Sequence, residues 1–324
     1  MKRIFIPCSS IGIILPALVL LTFIGCAPTA EQIRAPELYN QAMMEAWRSA
    51  GLERKEVQVD GDRIVYLEGG QGDTVLLLHG LAAAKEHWSL FAGPLTRDYH
   101  VVIPDLAGFG ESTKRMGANY SIDSQVKRLD RFAEVLQLEK FHLAGNSMGG
   151  TIAAVYAARF PQKISTLALL APADLLTAKE AKPGLQGAWD FIEISGNADY
   201  EKALSYLFVK PPLIPDSVKK AHVAQVMAAR SYNEKIVMDL IAEALALEPF
   251  LPMIQAPVCI VWGDRDRILD VSGASILEKG LKNHHTVILK DTGHCPMLEK
   301  PAETAAAYMD FLKNQPSVEG VRRI

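Results

Sequence analysis

Several absences narrow the function of this chain before any motif is considered. The 324 residues carry 34 basic and 37 acidic side chains, which give a formal net charge of −3, and no basic block occurs anywhere. A nucleic-acid partner requires a clustered positive face, so we expect none. Only four cysteines are present, a number that demands no disulfide framework. There is no internal repeat or low-complexity tract, and the 49% of apolar residues suffices for a sizeable core.

The N-terminal segment is apolar and almost free of charge. Lys2 and Arg3 precede an uncharged stretch from Ile4 to Ala30, of which Ile11 to Ile24 is almost wholly apolar. This pattern is typical of a secretory signal peptide. We therefore predict that the protein is exported and that residues 1–25 are a signal peptide outside the fold.

The four residues that end this segment, Phe23 to Cys26, resemble the lipobox of bacterial lipoproteins. In that family a signal peptidase cuts before the cysteine, which carries a diacylglyceryl group. The resemblance implies lipidation at Cys26 and an exported lipoprotein anchored in the outer membrane or cell envelope, although leucine is usual where Phe23 stands. An uncleaved signal anchor is one alternative, since about 20 apolar residues span a bilayer. A plain secreted protein is the other.

The cysteines beyond this point are Cys259, within a predicted strand, and Cys295, in a predicted loop. An oxidising compartment would permit a bridge between them. Because the other two cysteines lie in or at the end of the signal segment, the count requires no bridge, and we expect two separate thiols.

Short apolar runs alternate with helical patterns along most of the chain. Such runs are typical of strands buried on both faces of a parallel sheet, and the alternation predicts a doubly wound α/β fold. Two shorter strands, Val57–Val59 and Ile64–Leu67, flank a hairpin signal at Asp60-Gly61. The apolar runs are Thr74 to Leu78, Val101 to Ile103, Phe141 to Ala144, Ile164 to Leu170, Val258 to Trp262 and Thr286 to Leu289.

One interval breaks this alternation. Between Ala171 and Pro249 helical patterns occur without a strong strand, which predicts a helical cap inserted over the C-terminal edge of the sheet. Apolar cap side chains such as Leu204, Phe208 and Met227 are candidates for an acyl pocket, although we expect most of them to pack the helices together. The predicted division is a signal peptide at 1–25, a tether with an N-terminal helix at 26–52, a core at 53–171 and 250–315, the cap at 172–249 and a tail at 316–324.

The motif from Gly145 to Gly149 reads Gly-Asn-Ser-Met-Gly and lies between a predicted strand and a helical run. A nucleophile elbow needs this context, because its serine occupies a sharp, strained strand-to-helix turn that exposes the hydroxyl above the sheet. Glycines two residues before and after the serine prevent collision with neighbouring backbone. Ser147 is therefore the candidate nucleophile.

A serine nucleophile needs a base, and the base needs a carboxylate. His294 lies shortly after the last predicted strand, so its loop reaches the sheet edge where the elbow lies. Asp266 follows the preceding strand at a distance that lets it turn back towards His294, and is the predicted acid. Asp264 and Asp270 in the same segment compete with it, and Asp174 after an earlier strand is a further alternative.

An oxyanion needs two backbone donors. Met148 supplies one N–H from the elbow, and Leu81 the other, because Gly80 before it permits the backbone to approach a substrate closely. We expect His79 to order this loop by hydrogen bonding. It has no second ligand at a spacing suited to a metal, and we predict neither a metal nor a cofactor.

These motifs resemble those of bacterial lipases of the Moraxella and Psychrobacter type and of animal monoacylglycerol lipases of the α/β-hydrolase-domain family. The likeness covers roughly residues 74–312 and is weakest in the cap. The matching segments are His79-Gly80, Ile103 to Leu106, Gly108 to Gly110, Tyr120 to Asp123, Gln125-Val126, Gly145 to Gly150, Trp262-Gly263, Asp266, Leu269 to Ala274, Gly293-His294 and Glu299 to Pro301.

The resemblance implies an α/β-hydrolase fold, with a mostly parallel central sheet, helices on both faces and an inserted helical cap. It implies Ser147, Asp266 and His294 as the catalytic triad and Leu81 and Met148 as the oxyanion hole, the residues that the pattern itself indicates. The implied activity is hydrolysis of carboxylic esters. A membrane tether and an apolar cap together favour a small-molecule, lipid-like acyl ester as substrate, with mono- and triacylglycerols before short-chain esters.

Two other functions remain open. The elbow text Gly-Asn-Ser-Met-Gly-Gly also occurs in hydrolases that split carbon–carbon bonds of aromatic ring-cleavage products. Those enzymes typically carry more glycines after His-Gly and a tryptophan after Gly-His, where this chain has Leu81 to Ala84 and Cys295. A non-catalytic binding lipoprotein is the second alternative, and it would be expected to have lost a member of the triad. Haloalkane dehalogenases and epoxide hydrolases need an aspartate in place of Ser147, which argues against both.

Overall fold

One nine-stranded sheet forms the centre of the molecule. The computed structural model describes residue 41 and residues 43–173, 193–212, 214–314 and 321–324. The predicted signal peptide, Cys26, most of the tether and Asp174 lie outside these residues. The strands are β1 (Leu52–Val59), β2 (Asp62–Gly69), β3 (Thr74–Leu78), β4 (His100–Pro104), β5 (Phe141–Ser147), β6 (Ile164–Pro172), β7 (Val258–Gly263), β8 (His284–Leu289) and β9 (Val321–Arg323).

The strands run in the order β1-β2-β4-β3-β5-β6-β7-β8-β9. The pairs β1–β2 and β2–β4 are antiparallel, and every other neighbouring pair is parallel. The mostly parallel sheet predicted from the apolar runs is confirmed. Because the parallel strands share one direction, their C-terminal ends lie along one edge, and the loops that follow them meet there.

The first hairpin is longer than predicted. β1 pairs with β2 over its full length, and the turn between them places Asp60 and Gly61 at φ angles of 49° and 83°. Two residues with positive φ form the hairpin turn whose twist matches that of the strands. Most of β1 is exposed, with polar side chains such as Lys55, so apolar patterning marked only the end of this strand.

Helices cover both faces of the sheet. Successive side chains of β3 belong to opposite clusters: Leu76 and Leu78 pack with α3, α4 and α8, whereas Val75 and Leu77 pack with α1, α2 and α10. The helices are α1 (residues 43–49), α2 (Ser89–Leu95), α3 (Ile122–Val135), α4 (Met148–Arg159), α5 (Asn197–Leu207), α6 (Asp216–Ala228), α7 (Arg230–Ala242), α8 (Gly273–Gly280), α9 (Pro296–Glu299) and α10 (Pro301–Asn314).

The described part of the predicted cap is helical, with α5, α6 and α7 between β6 and β7. Leu204 and Phe208 are buried in the same cluster as Trp88, as expected for packing residues, whereas 48% of Met227 is exposed. Among the described residues, none of the helices has the length and apolar character that crossing a membrane requires. Within the same residues, Cys259 and Cys295 are separate buried thiols, as predicted.

The end of the chain differs from the predicted tail. Val321–Arg323 forms β9, which runs parallel to residues 286–288 of β8 and extends the sheet by one strand. An open sheet edge offers unpaired N–H and C=O groups to any extended segment that can reach it. Three residues are too few to give the apolar run on which the prediction of strands depended.

Candidate active site

Ser147 lies at the sharp turn predicted for it. It is the last residue of β5 and directly precedes α4, and its φ of 54° and ψ of −124° are strained for a residue with a side chain. A Cβ on Gly145 would lie 2.2 Å from the carbonyl oxygen of Gly149, and one on Gly149 would lie 2.5 Å from that of Leu78. Both glycines are therefore required by the close packing of the turn.

Asp266 and His294 form a buried pair at the same edge. The Nδ1 atom of His294 lies 2.8 Å from Oδ2 of Asp266, and the side chains are 5% and 0% exposed. The other carboxylate oxygen of Asp266 accepts the backbone N–H groups of Ile268 and Leu269 at 2.8 and 2.9 Å. Because a carboxylate can only accept, Nδ1 carries the proton and Nε2 is left as the basic nitrogen.

Glycines also bring the loops of this pair together. A Cβ on Gly263 would lie 2.3 Å from the carbonyl oxygens of both Gly293 and Thr292. The loop that follows β7 therefore passes directly against the loop that follows β8. This contact explains how Asp266 and His294, which are 28 residues apart, meet at hydrogen-bond distance.

Asn146 connects His294 to the elbow. Its side-chain Nδ2 donates to the carbonyl oxygen of His294 at 3.1 Å and to that of Leu170 at 3.0 Å. The residue next to Ser147 thus holds the backbone of His294 beside the elbow. No role was predicted for Asn146, because the groups that its side chain contacts lie 24 and 148 residues away in the sequence.

The two predicted oxyanion donors flank Ser147. Met148 is the first residue of α4, where backbone N–H groups have no partner within the helix. On the other side, a Cβ on Gly80 would lie 3.2 Å from Cβ of Ser147, so the backbone that leads into Leu81 passes beside the serine. The structure therefore brings both residues to the elbow, and their role as donors stays a prediction.

His79 is fastened on both ring nitrogens. Its Nδ1 donates to the carbonyl oxygen of Gly80 at 2.8 Å, and its Nε2 accepts from the N–H of Leu106 at 3.0 Å. Burial lowers the pKa of His79, which keeps the ring neutral, as this pair of bonds requires. The expected ordering role is visible in these contacts, which tie the loop after β3 to the loop after β4.

A buried lysine, Lys85, for which no role was predicted, also fastens this loop. Nζ of Lys85 lies 2.9 Å from Asp105, 2.6 Å from Glu86 and 2.9 Å from Glu111, while the side chains of Lys85 and Asp105 are at most 1% exposed. Burial alone would lower the pKa of Lys85, but attraction to Asp105 and Glu86 outweighs burial and raises it. The ammonium group therefore stays charged. It links the residue that follows the loop after β3, which carries Leu81, to Asp105 at the end of β4.

The competing candidates lie elsewhere. Asp264 accepts a long bond, 3.4 Å, from the N–H of Thr292, and Asp270 accepts from that of Ser272 at 2.9 Å. Neither has a hydrogen bond to His294 among the described contacts. His284 begins β8 and lies at the opposite edge of the sheet, as expected from the strand direction.

Comparison with known proteins agrees with this geometry. The profile of the family described as alpha/beta hydrolase fold matches residues 73–301. The chain belongs to the α/β-hydrolase fold family. The family predicted from the elbow and from the loops after β7 and β8 is therefore confirmed.

Several characterised α/β hydrolases are similar over most of their length. Lipase 1 of Psychrobacter immobilis is 32% identical, over 91% of this chain and 95% of that protein. Human monoacylglycerol lipase ABHD6 is 31% identical, over 86% and 87%. The predicted resemblance to both groups is confirmed, and the predicted enzyme class, carboxylic ester hydrolase, is that of these named relatives.

Solved structures give the same fold. A bacterial membrane phospholipase A is 41% identical and superposes with a TM-score of 0.82, over 87% of this chain and 92% of that one. A meta-cleavage product hydrolase from Pseudomonas fluorescens has a TM-score of 0.72, over 81% and 98%, but is only 21% identical. At that identity the second likeness supports the fold alone.

Proposed function

We propose that this α/β hydrolase cleaves lipid-like acyl esters, mono- or triacylglycerols first, with Ser147 as nucleophile, His294 as base and Asp266 as its carboxylate partner. The observation that carries the proposal is the 2.8 Å bond between Nδ1 of His294 and Asp266, in a loop that Asn146 holds at the elbow. An imidazole fixed in this tautomer presents Nε2 for proton transfer.

The proposed reaction is a two-step acyl transfer. Nε2 of His294 accepts the hydroxyl proton of Ser147 while Oγ attacks the ester carbonyl carbon, and the N–H groups of Leu81 and Met148 bind the resulting oxyanion. The tetrahedral intermediate expels the alcohol, which takes its proton from His294, and leaves an acyl-serine. A water molecule then gives a proton to His294 while its oxygen attacks the acyl carbon. The second tetrahedral intermediate releases the carboxylic acid as His294 returns that proton to Oγ of Ser147.

Two observations support a lipid-like substrate. The buried cap side chains Leu204 and Phe208 belong to one apolar cluster with Cys295 and Met297, which follow His294, so the contact between the cap and the loop after β8 has an apolar interior. In addition, the similar proteins include a lipase, a monoacylglycerol lipase and a membrane phospholipase A. An apolar surround with few convergent polar groups suits an acyl chain.

The test is a substrate panel measured on wild type and on Ser147→Ala. We expect wild type to hydrolyse monoacylglycerol and p-nitrophenyl esters and the variant to lose this activity. Ser275→Ala, which changes an exposed serine of α8, is the control and should retain full activity. An S147A variant as active as wild type contradicts the proposal, and so does a wild type that cleaves only vinylogous diketones or no substrate at all.

We further propose that Cys26 carries a lipid that anchors the enzyme to a membrane outside the cytoplasm. The basic start, the uncharged stretch to Ala30 and the lipobox-like residues from Phe23 support this proposal. Cells fed labelled palmitate should yield labelled protein, and Cys26→Ser should remove the label. Label that persists in this variant excludes Cys26 as the lipidated residue.

A further inference from the structure

The end of the first cap helix, α5, is bonded directly to the loop that carries His294. We call residues 205–210 the cap exit and residues 290–295 the histidine loop. The N–H of His294 donates to the carbonyl oxygen of Leu207, the last residue of α5, at 2.8 Å. The neighbouring Gly293 packs so closely that a Cβ there would lie 2.3 Å from the same oxygen. The backbone of the proposed base is therefore supported by the cap as well as by the sheet.

Glu299 joins the same two segments through its side chain. One carboxylate oxygen accepts the N–H of Gly293 at 2.7 Å, and the other accepts the N–H of Lys210, just beyond α5, at 2.7 Å. Glu299 ends the short helix α9, only five residues after His294. Bonds from backbone N–H groups to a carboxylate are short and strong, so this side chain is a firm link between cap exit and histidine loop.

The aspartate loop has a corresponding link to α5. Nη1 of Arg267, the residue after Asp266, donates to the carbonyl oxygen of Ser205 at 3.0 Å. Both loops that carry the proposed His–Asp pair are thus tied to the last turn of α5 or to the residues that follow it. The cap exit is a common support for the two loops.

From these contacts we propose that Glu299 is a positioning residue, which fastens the cap exit to the histidine loop and so holds His294 in register with Ser147. The inference rests on the proposed function, since it assigns Glu299 a part in the same reaction. Glu299 acts through the backbone of Gly293 and contacts neither the imidazole nor the serine in the described bonds.

The chemistry of the link makes substitutions informative. A glutamine has one acceptor oxygen and one donating amide nitrogen, so it can accept only one of the two N–H groups and must oppose the other. An alanine removes both bonds. The expected order of activity is therefore Glu, then Gln, then Ala, and a displacement of His294 by about 1 Å is enough for a loss of about 100-fold.

The experiment measures steady-state kinetics and fluorophosphonate labelling of wild type, Glu299→Gln, Glu299→Ala and Glu303→Gln. Glu303 is an exposed carboxylate in α10 and is the matched control, expected to behave as wild type. We expect kcat and the labelling rate constant of both Glu299 variants to fall together by about 10- to 100-fold, with KM changed less than about threefold.

Titration of the labelled fraction separates positioning from folding. A positioning role leaves the fraction of molecules that are finally labelled near that of wild type while each molecule reacts more slowly. A lower labelled fraction whose rate constant equals that of wild type overturns the inference, because Glu299 then serves folding alone. Glu299 variants as fast as wild type overturn it too. If wild type is not labelled at all, the result contradicts the proposed function instead. Failure of the inference about Glu299 and failure of the proposed function are therefore distinguishable.

Discussion

The two loops that flank Ser147 are held in different ways. On the oxyanion side, His79 and Lys85 fasten the loop after β3 to the end of β4 through buried side chains of the core. On the histidine side, the cap exit holds Gly293 and His294 at Leu207 and through Glu299, and Asn146 of β5 also holds the backbone of His294. The proposed oxyanion donors are therefore held through contacts within the core, whereas the proposed base is held by the inserted cap in addition to the core.

The largest effect should follow from breaking the His–Asp pair. In Asp266→Asn the amide oxygen can still accept from Ile268 and Leu269, but the amide NH2 then faces Nδ1 of His294 and favours the wrong tautomer. We expect kcat for ester hydrolysis to fall by about 10⁴-fold, with little change in stability. A loss below about tenfold would refute the role given to Asp266.

Removing the buried lysine on the oxyanion side should instead lower the free energy of unfolding. Lys85→Met leaves the fully buried Asp105 without its ammonium partner, and we expect the free energy of unfolding to fall by about 3–5 kcal/mol in denaturant titration. Lys282→Met, at an exposed position, is the control and should change it by less than about 0.5 kcal/mol. If both variants unfold at the same denaturant concentration, the buried ion network does not hold this side together.

A smaller change tests the packing on the histidine side. Gly293→Ala forces the chain away from the carbonyl oxygen of Leu207, and we expect a destabilisation of about 1–3 kcal/mol together with a lower kcat. The control is Gly117→Ala, because a Cβ at Gly117 meets nothing within 4 Å. Equal kinetics and equal thermal unfolding for the two alanine variants would show that the contact between cap and histidine loop is unimportant.

The smallest expected effect is a pH dependence on the oxyanion side. Partial burial raises the pKa of Glu111, but hydrogen bonds from Arg54 and Lys85 outweigh burial and lower it from 4.5 to about 2. The folded state therefore favours the ionised carboxylate, whose contribution to stability is present above pH 4.5 and is lost as the pH falls towards 2.

Because 45% of the Glu111 side chain is exposed, solvent screening limits this contribution to about 1 kcal/mol. The measurement is the free energy of unfolding of wild type minus that of Glu111→Gln, taken across this pH range. We expect the difference to shrink as the pH falls. A difference that is constant or grows in acid would contradict the assignment.

Local sequence patterns indicated which loops meet at the sheet edge, but not the bonds that hold these loops there. The elbow, Asp266 and His294 could be predicted because each follows a recognisable strand, and parallel strands bring such positions to one edge. The bond from Lys210 to Glu299 joins residues 89 apart, and that from Asn146 to His294 joins residues 148 apart. No local pattern marks either bond, since both use backbone groups whose partners are set only when the chain has folded.

The most direct test of the central claim is a crystal structure of the enzyme after reaction with a fluorophosphonate ester. We expect a covalent bond from Oγ of Ser147 to phosphorus, a phosphoryl oxygen about 2.7–3.1 Å from the backbone nitrogens of Leu81 and Met148, and Nε2 of His294 beside the adduct. An adduct on any other residue, or a phosphoryl oxygen directed away from both nitrogens, would contradict the central claim.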